Sequence, residues 1–126
     1  MSKPNSAKAT LTQEVDQLHA ELCGALADPR RIVLLYALAE RPRNVGELAV
    51  ELGLTQSSAS RHLGLLRERG LVRAVRQGPS VEYHLSDTRL IEALDLLRTV
   101  LRDRFARNAT LMDGGSPPAQ KGKQPA

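Results

Sequence analysis

Aromatic side chains are almost absent: the 126 residues include two Tyr, one Phe and no Trp. A chain so poor in flat rings offers no platform for stacking unpaired bases, which argues against single-stranded nucleic acid as a partner. Cysteine is nearly as scarce. The lone thiol, Cys23, excludes an intramolecular disulfide framework and any site needing several cysteines of one chain, and a reduced, intracellular setting fits. No run approaches the ~20 apolar residues that cross a bilayer. The polar start MSKPNSAKAT also lacks the apolar block of a secretory signal, so a cytoplasmic protein without a membrane partner is expected. Nor does any nucleophile–base pair, glycine-rich phosphate loop or carboxylate pair occur at a suggestive spacing, which leaves an enzyme with little support.

Lysine is missing from the middle of the chain. All four lysines (Lys3, Lys8, Lys121, Lys123) lie near the ends, and every cation from 11 to 110 is arginine. The net charge is +4, unevenly spread. Residues 11–54 carry four Arg against seven acids, net −3, whereas residues 55–86 carry five Arg against two acids, net +3. A basic segment in a mildly acidic body points to an anionic partner met by one part of the surface.

What is present is mostly helical periodicity. Residues 1–10 and 111–126 have no apolar period and read as a disordered arm and tail around one domain, 11–110. Leu11, Val15, Leu18, Leu22 and Leu26 trace a first helical stripe. Asp28 and Pro29 then form the start of a second helix, Arg30 to Ala39, apolar nearly all round and so expected to be central. After the connection RPRN, Asn44 caps a short third helix with Leu48 and Leu52, closed by Gly53. Thr55 caps a fourth, which ends at Gly70. Within it Ala59, Leu63 and Leu66 form a buried stripe, while Ser57, Ser60, Arg61 and Gly64 fall on the opposite side. LVRAVRQ and VEYHLS alternate around GPS as a two-stranded hairpin, and Leu90, Leu94, Leu97, Leu101 and Phe105 mark a last helix from about Thr88 to Asn108. Arg73 and Arg76 share a face only if the hairpin bulges.

The expected fold is mainly α with a small β-hairpin. Four helices, two strands and a fifth helix make a winged helix-turn-helix. The first and last helices carry apolar stripes broader than a small domain covers, so they are expected to pair two copies in a homodimer.

This order of parts resembles the ArsR/SmtB family of bacterial winged-helix regulators. The resemblance rests on LADPRRIVLLYALAE with its DPxR, on NVGELAVELGLTQSSASRHLGLLRERGLVRAVRQGPSVEYHLSD with its S-x-x-S-R-H-L and G-L-V, and on the last helix. It covers roughly residues 11–110, and it implies a homodimer that represses transcription and leaves double-stranded DNA when an effector binds. Small hydroxyl side chains let a helix approach the floor of the major groove; Gln56 suits adenine and Arg61 suits guanine or phosphate. The expected contacts are Thr55, Gln56, Ser57, Ser58, Ser60, Arg61 and His62 from the helix, and Arg73, Arg76, Gln77 and Ser80 from the wing. His62, beside the apolar stripe, fits a phosphate contact or a packing role better than a metal ligand.

The family's usual metal sites are missing. Ala49 and Glu51 stand where many members carry a Cys-x-Cys pair, and Asp87 is followed by Arg89 rather than by the histidines of another group. What remains is Asp16, His19 and Cys23 at i, i+3 and i+7 on the first helix, a set that suits a transition metal or haem iron with ligands added by a second copy. Two further readings therefore stay open: a constitutive DNA-binding protein without a ligand, and a sensor using His19 and Cys23.

Overall fold

The structure, a computed structural model, describes residues 7–113. It divides after Thr88 into two compact units. In the first, α1 (Ala7–Leu18) continues into a π-helical turn (His19–Cys23) and is followed by α2 (Pro29–Glu40), β1 (Arg43–Asn44), α3 (Val45–Leu52), α4 (Gln56–Glu68), β2 (Val72–Gln77) and β3 (Ser80–Leu85). The second is α5 (Arg89–Asp113). Helix α1 begins ahead of the Leu11 start read from the stripe, and α5 runs past Asn108. The remainder of the expected arm and tail lies outside the described residues.

The starts of α2, α3 and α4 each have a local cause. Pro29 opens α2, where its missing N–H costs nothing, and Asp28 Oδ1 accepts from Arg30 N–H at 2.9 Å. The Arg30 guanidinium binds the same carboxylate through both oxygens and, as the leading cause, holds its pKa down at about 2. At α3 a reciprocal capping box forms: Glu47 N–H donates to Asn44 Oδ1 at 2.8 Å, and Asn44 N–H to Glu47 Oε1 at 3.0 Å. Thr55 Oγ1 caps α4 through Ser58 N–H. Helix ends are set by Gly53 and Gly70, at φ 70° and 78°. Left-handed backbone there lets Leu54 N–H reach Ala49 O and Leu71 N–H reach Leu66 O, both at 2.9 Å.

The core lies between α2, α3, α4 and the start of the wing. Leu34, Leu35, Leu48, Ala59, Leu63 and Leu66 are fully enclosed, with Leu38, Ala49, Leu71 and Val72 around them. The wing is three-stranded, in the order β1-β3-β2. RPRN is therefore more than a connection, because Arg43 and Asn44 pair antiparallel with Tyr83 and Glu82. The β2–β3 ladder runs unbroken from Val72↔Leu85 to Gln77↔Ser80. With no bulge, Arg73 and Arg76 point to opposite faces of the sheet. Pro79 cannot take a positive φ, so the Gly78–Pro79 turn, with Gly78 at φ 61°, fits the II′ type that matches strand twist.

Arg43 is the largest side chain in this core, 2% exposed. Its guanidinium donates to Ala37 O on α2 and forms an ion pair with Glu51 on α3, with Glu40 at 3.8 Å. Arg43→Met should keep the volume but leave the Ala37 carbonyl short of a donor. A loss of about 2–3 kcal/mol is expected in urea unfolding at unchanged m, against about 1 kcal/mol or less for Glu51→Gln, whose carboxylate is 42% exposed.

Candidate nucleic-acid interface

Helix α4 has two chemically distinct faces. Ala59, Leu63 and Leu66 are fully buried, and Gln56, Ser57, Ser60, Arg61 and Gly64 are exposed opposite them. The exposed face is small, polar and cationic, and it carries no Glu or Lys partner that would support the helix by i,i+4 pairing. Thr55 is exposed but its hydroxyl is taken by the cap. On the wing, Arg73, Arg76, Gln77 and Ser80 are all exposed. Arg73 reaches back to Leu85 O at 3.4 Å, and Ser80 Oγ donates to Gln77 O at 3.3 Å across the turn. The structure thus gathers Gln56, Ser57, Ser60 and Arg61 on one open surface and sets Arg76, Gln77 and Ser80 beside the Gly78 turn, with Arg73 at the other end of the ladder, opposite His84.

Two of the expected contacts turn inward. His62 is 6% exposed, and Ser58 is half-buried. They sit one turn apart, and neither Ser58 Oγ nor His62 Nε2 has a hydrogen-bond partner. At the other ring nitrogen, Arg31 of α2 lies 3.3 Å from His62 Nδ1. A guanidinium only donates, so Nδ1 accepts and the imidazole is neutral. His62 is therefore packed between α4 and α2. Burial pushes its pKa below the ordinary value, nearby Arg30, Arg31 and Arg61 push the same way, and Asp28 opposes them.

Among the described residues, no group of three or more His, Cys, Asp and Glu could hold a metal ion. Asp16, His19 and Cys23 are exposed and do not form such a group. Glu51 is committed to an ion pair with Arg43. No described helix is long and apolar enough to cross a membrane.

A capped short helix, a glycine turn, a second helix with an exposed polar face and a three-stranded wing define a winged helix-turn-helix protein. The family described as "Bacterial regulatory protein, arsR family" matches residues 28–74. The HTH-type transcriptional regulator Rv0081 of Mycobacterium tuberculosis is 41% identical over 105 residues, covering 79% of this chain and 92% of that protein. Its crystal structure superimposes with a TM-score of 0.68 over 75% of this chain and 96% of its own. The HTH-type transcriptional regulator CmtR of Mycobacterium bovis is 47% identical over 65% of this chain and 70% of CmtR. The homodimeric winged helix-turn-helix DNA-binding domain of Mb0332 from Mycobacterium bovis is 29% identical, with a TM-score of 0.67 over 85% of this chain and 95% of that one. This chain belongs to the ArsR family of bacterial transcriptional regulators, and it is a regulator rather than an enzyme.

The buried imidazole gives the fold an acid sensitivity of known sign. Below about pH 6.5 the imidazole of the unfolded chain takes up a proton first, so stability is lost as the pH falls toward the lowered native pKa. Moving from about pH 7.5 to about pH 5.5 should lower the Tm of the wild-type protein more than that of His62→Asn, whose amide oxygen keeps an acceptor for Arg31. Thermal scans at both pH values provide the check, and equal losses would remove His62 as the titrating group.

Proposed function

We propose that this regulator is a cytoplasmic homodimeric repressor that binds a palindromic duplex DNA operator and is released by an effector. The observation that carries the reading is the exposed face of α4. Ser57 and Ser60 are short enough to admit the helix backbone to the major-groove floor, the Gln56 amide carries the donor and acceptor that an adenine edge needs, and Arg61 carries the two donors that a guanine edge needs. Arg76, Gln77 and Ser80 at the wing tip suit phosphate and sugar contacts, and Thr55, by capping α4, presents the N-terminal amides of that helix. One such helix reads too few bases for specificity. A two-fold pair spaced by about 34–36 Å reads two half-sites.

Dimerisation is supported by apolar side chains left open on two helices. Leu11, Val15 and Leu18 of α1 are 47–59% exposed, and Leu97, Val100, Leu101 and Phe105 of α5 are 47–62% exposed. A second copy covering both stripes explains why so small a chain carries them. The homodimeric state of the Mb0332 domain supports pairing of two copies.

Selection of random duplexes should yield an imperfect inverted repeat, and affinity for it should fall by about 0.9 log units per log unit of salt for each phosphate neutralised. Replacing Ser57 and Ser60 together by Ala should relax base preference, at about 1–3 kcal/mol for each base edge no longer read, whereas Arg76→Ala should weaken all duplexes alike. Equal affinity of the wild-type protein for selected and scrambled duplexes would sink the operator reading. Val100→Glu should give a monomer in analytical ultracentrifugation, with half-site affinity only.

A further inference from the structure

The turn that joins the first helix to α2 is held by two arginines, one from the first turn of α2 and one from the end of α4. Within the π-turn the backbone ladder skips a step: Gly24 N–H goes to His19 O at 3.0 Å, and Leu26 N–H goes to Leu22 O and Cys23 O at 3.0 and 3.1 Å. The carbonyls passed over, Ala20 and Glu21, accept from Arg69 Nη1 at 2.7 and 3.2 Å. One turn further on, Arg31 donates to Ala25 O at 2.7 Å and to Gly24 O at 3.3 Å. Carbonyls at a helix end carry the negative pole of its dipole, which makes a guanidinium a strong partner for them.

Both arginines lead to the same place. Arg69 is the residue that ends α4. Arg31, the last residue of the DPxR motif, also meets His62 in the middle of α4. The carbonyl end of the first helix is therefore joined to α4 at two points along that helix, directly by Arg69 and through Arg31 and His62. Gly24 leaves room for this: a Cβ there would lie 3.1 Å from Ala20 O and 3.5 Å from Arg69 Nη1.

We propose that Arg69 and Arg31 form a guanidinium clamp that sets the position of α4 against the first helix, making both positioning residues for DNA binding. The inference rests on the reading of α4 as the DNA-reading helix. It assigns the π-turn a task, which is to offer unpaired carbonyls to the clamp. Because α1 also carries one of the two stripes assigned to the dimer, any rearrangement of the two copies reaches the reading heads through these contacts.

The first test needs no DNA. Nitroxides on native Cys23 and on Ser57→Cys, with labelled chain diluted into excess unlabelled Cys23→Ser chain, report the distance between the first helix and α4 within one protomer. One narrow distribution is expected for the parent, a broad or displaced one after Arg69→Met, and a narrow one after Arg69→Lys, which keeps a charged donor for Ala20 O. An unchanged distribution in Arg69→Met overturns the clamp whether or not DNA is bound. The second test uses unlabelled protein with selected and scrambled duplexes. Arg69→Met should lose about tenfold in affinity for the selected site, keep its affinity for scrambled duplex and its salt slope, and regain most of the loss as Arg69→Lys. Equal losses on both duplexes with a shallower salt slope would make Arg69 a phosphate contact and overturn the positioning role. Absence of any sequence preference in the wild-type protein removes the operator reading itself, while the distances still decide the clamp.

Discussion

The first unit is organised around one buried cation. Arg43 lies between the end of α2 and the body of α3, on a strand two residues long. Its guanidinium binds Ala37 O, Glu51 and the Arg41 carbonyl together. Burying a charge is costly unless it is paired and its donors are used, and this one has partners on three segments. The consequence is geometric. Asn44, the next residue, caps α3 and pairs with Glu82 of the wing, so one side chain brings the central helix, the first helix of the helix-turn-helix and the sheet to a common point.

From that point α4 is presented with one face packed and the other open. Its packed face combines leucines with a neutral imidazole, and its open face gives up helix-supporting charge pairs for serines and an arginine. Serine is only a middling helix former. The helix is instead held at its ends and middle: by the Thr55 cap at its start, by Arg31 against His62 at its centre, and by Arg69 and the left-handed Gly70 at its end. This support leaves the composition of the open face free to answer to a ligand rather than to folding.

Much of this was readable in the chain. Asp28, Asn44 and Thr55 act where their positions before apolar-periodic segments placed them, because a cap bonds only to an amide two or three residues on. The stripe of Ala59, Leu63 and Leu66 and the opposed polar face followed from the helical period alone. The hairpin was legible from alternation, but β1 was not, since two residues are too few to show a period of two. The inward turn of Ser58 and His62 was hidden for a different reason: both border the apolar stripe, and only the packing of α2 decides on which side of that border they fall.

The sequence by itself determined the elements, their caps and glycine ends, and the face of α4 available to a partner, because each depends on residues within about one turn of each other. Only the tertiary structure decided where the arginines go. Arg69 meets Ala20 across 49 positions of chain and Arg31 meets His62 across 31. No local pattern distinguishes these arginines from the exposed Arg61 or Arg76. Which guanidinium is left for an anionic partner and which closes a helix end depends on the carbonyls that folding brings within about 3 Å of it.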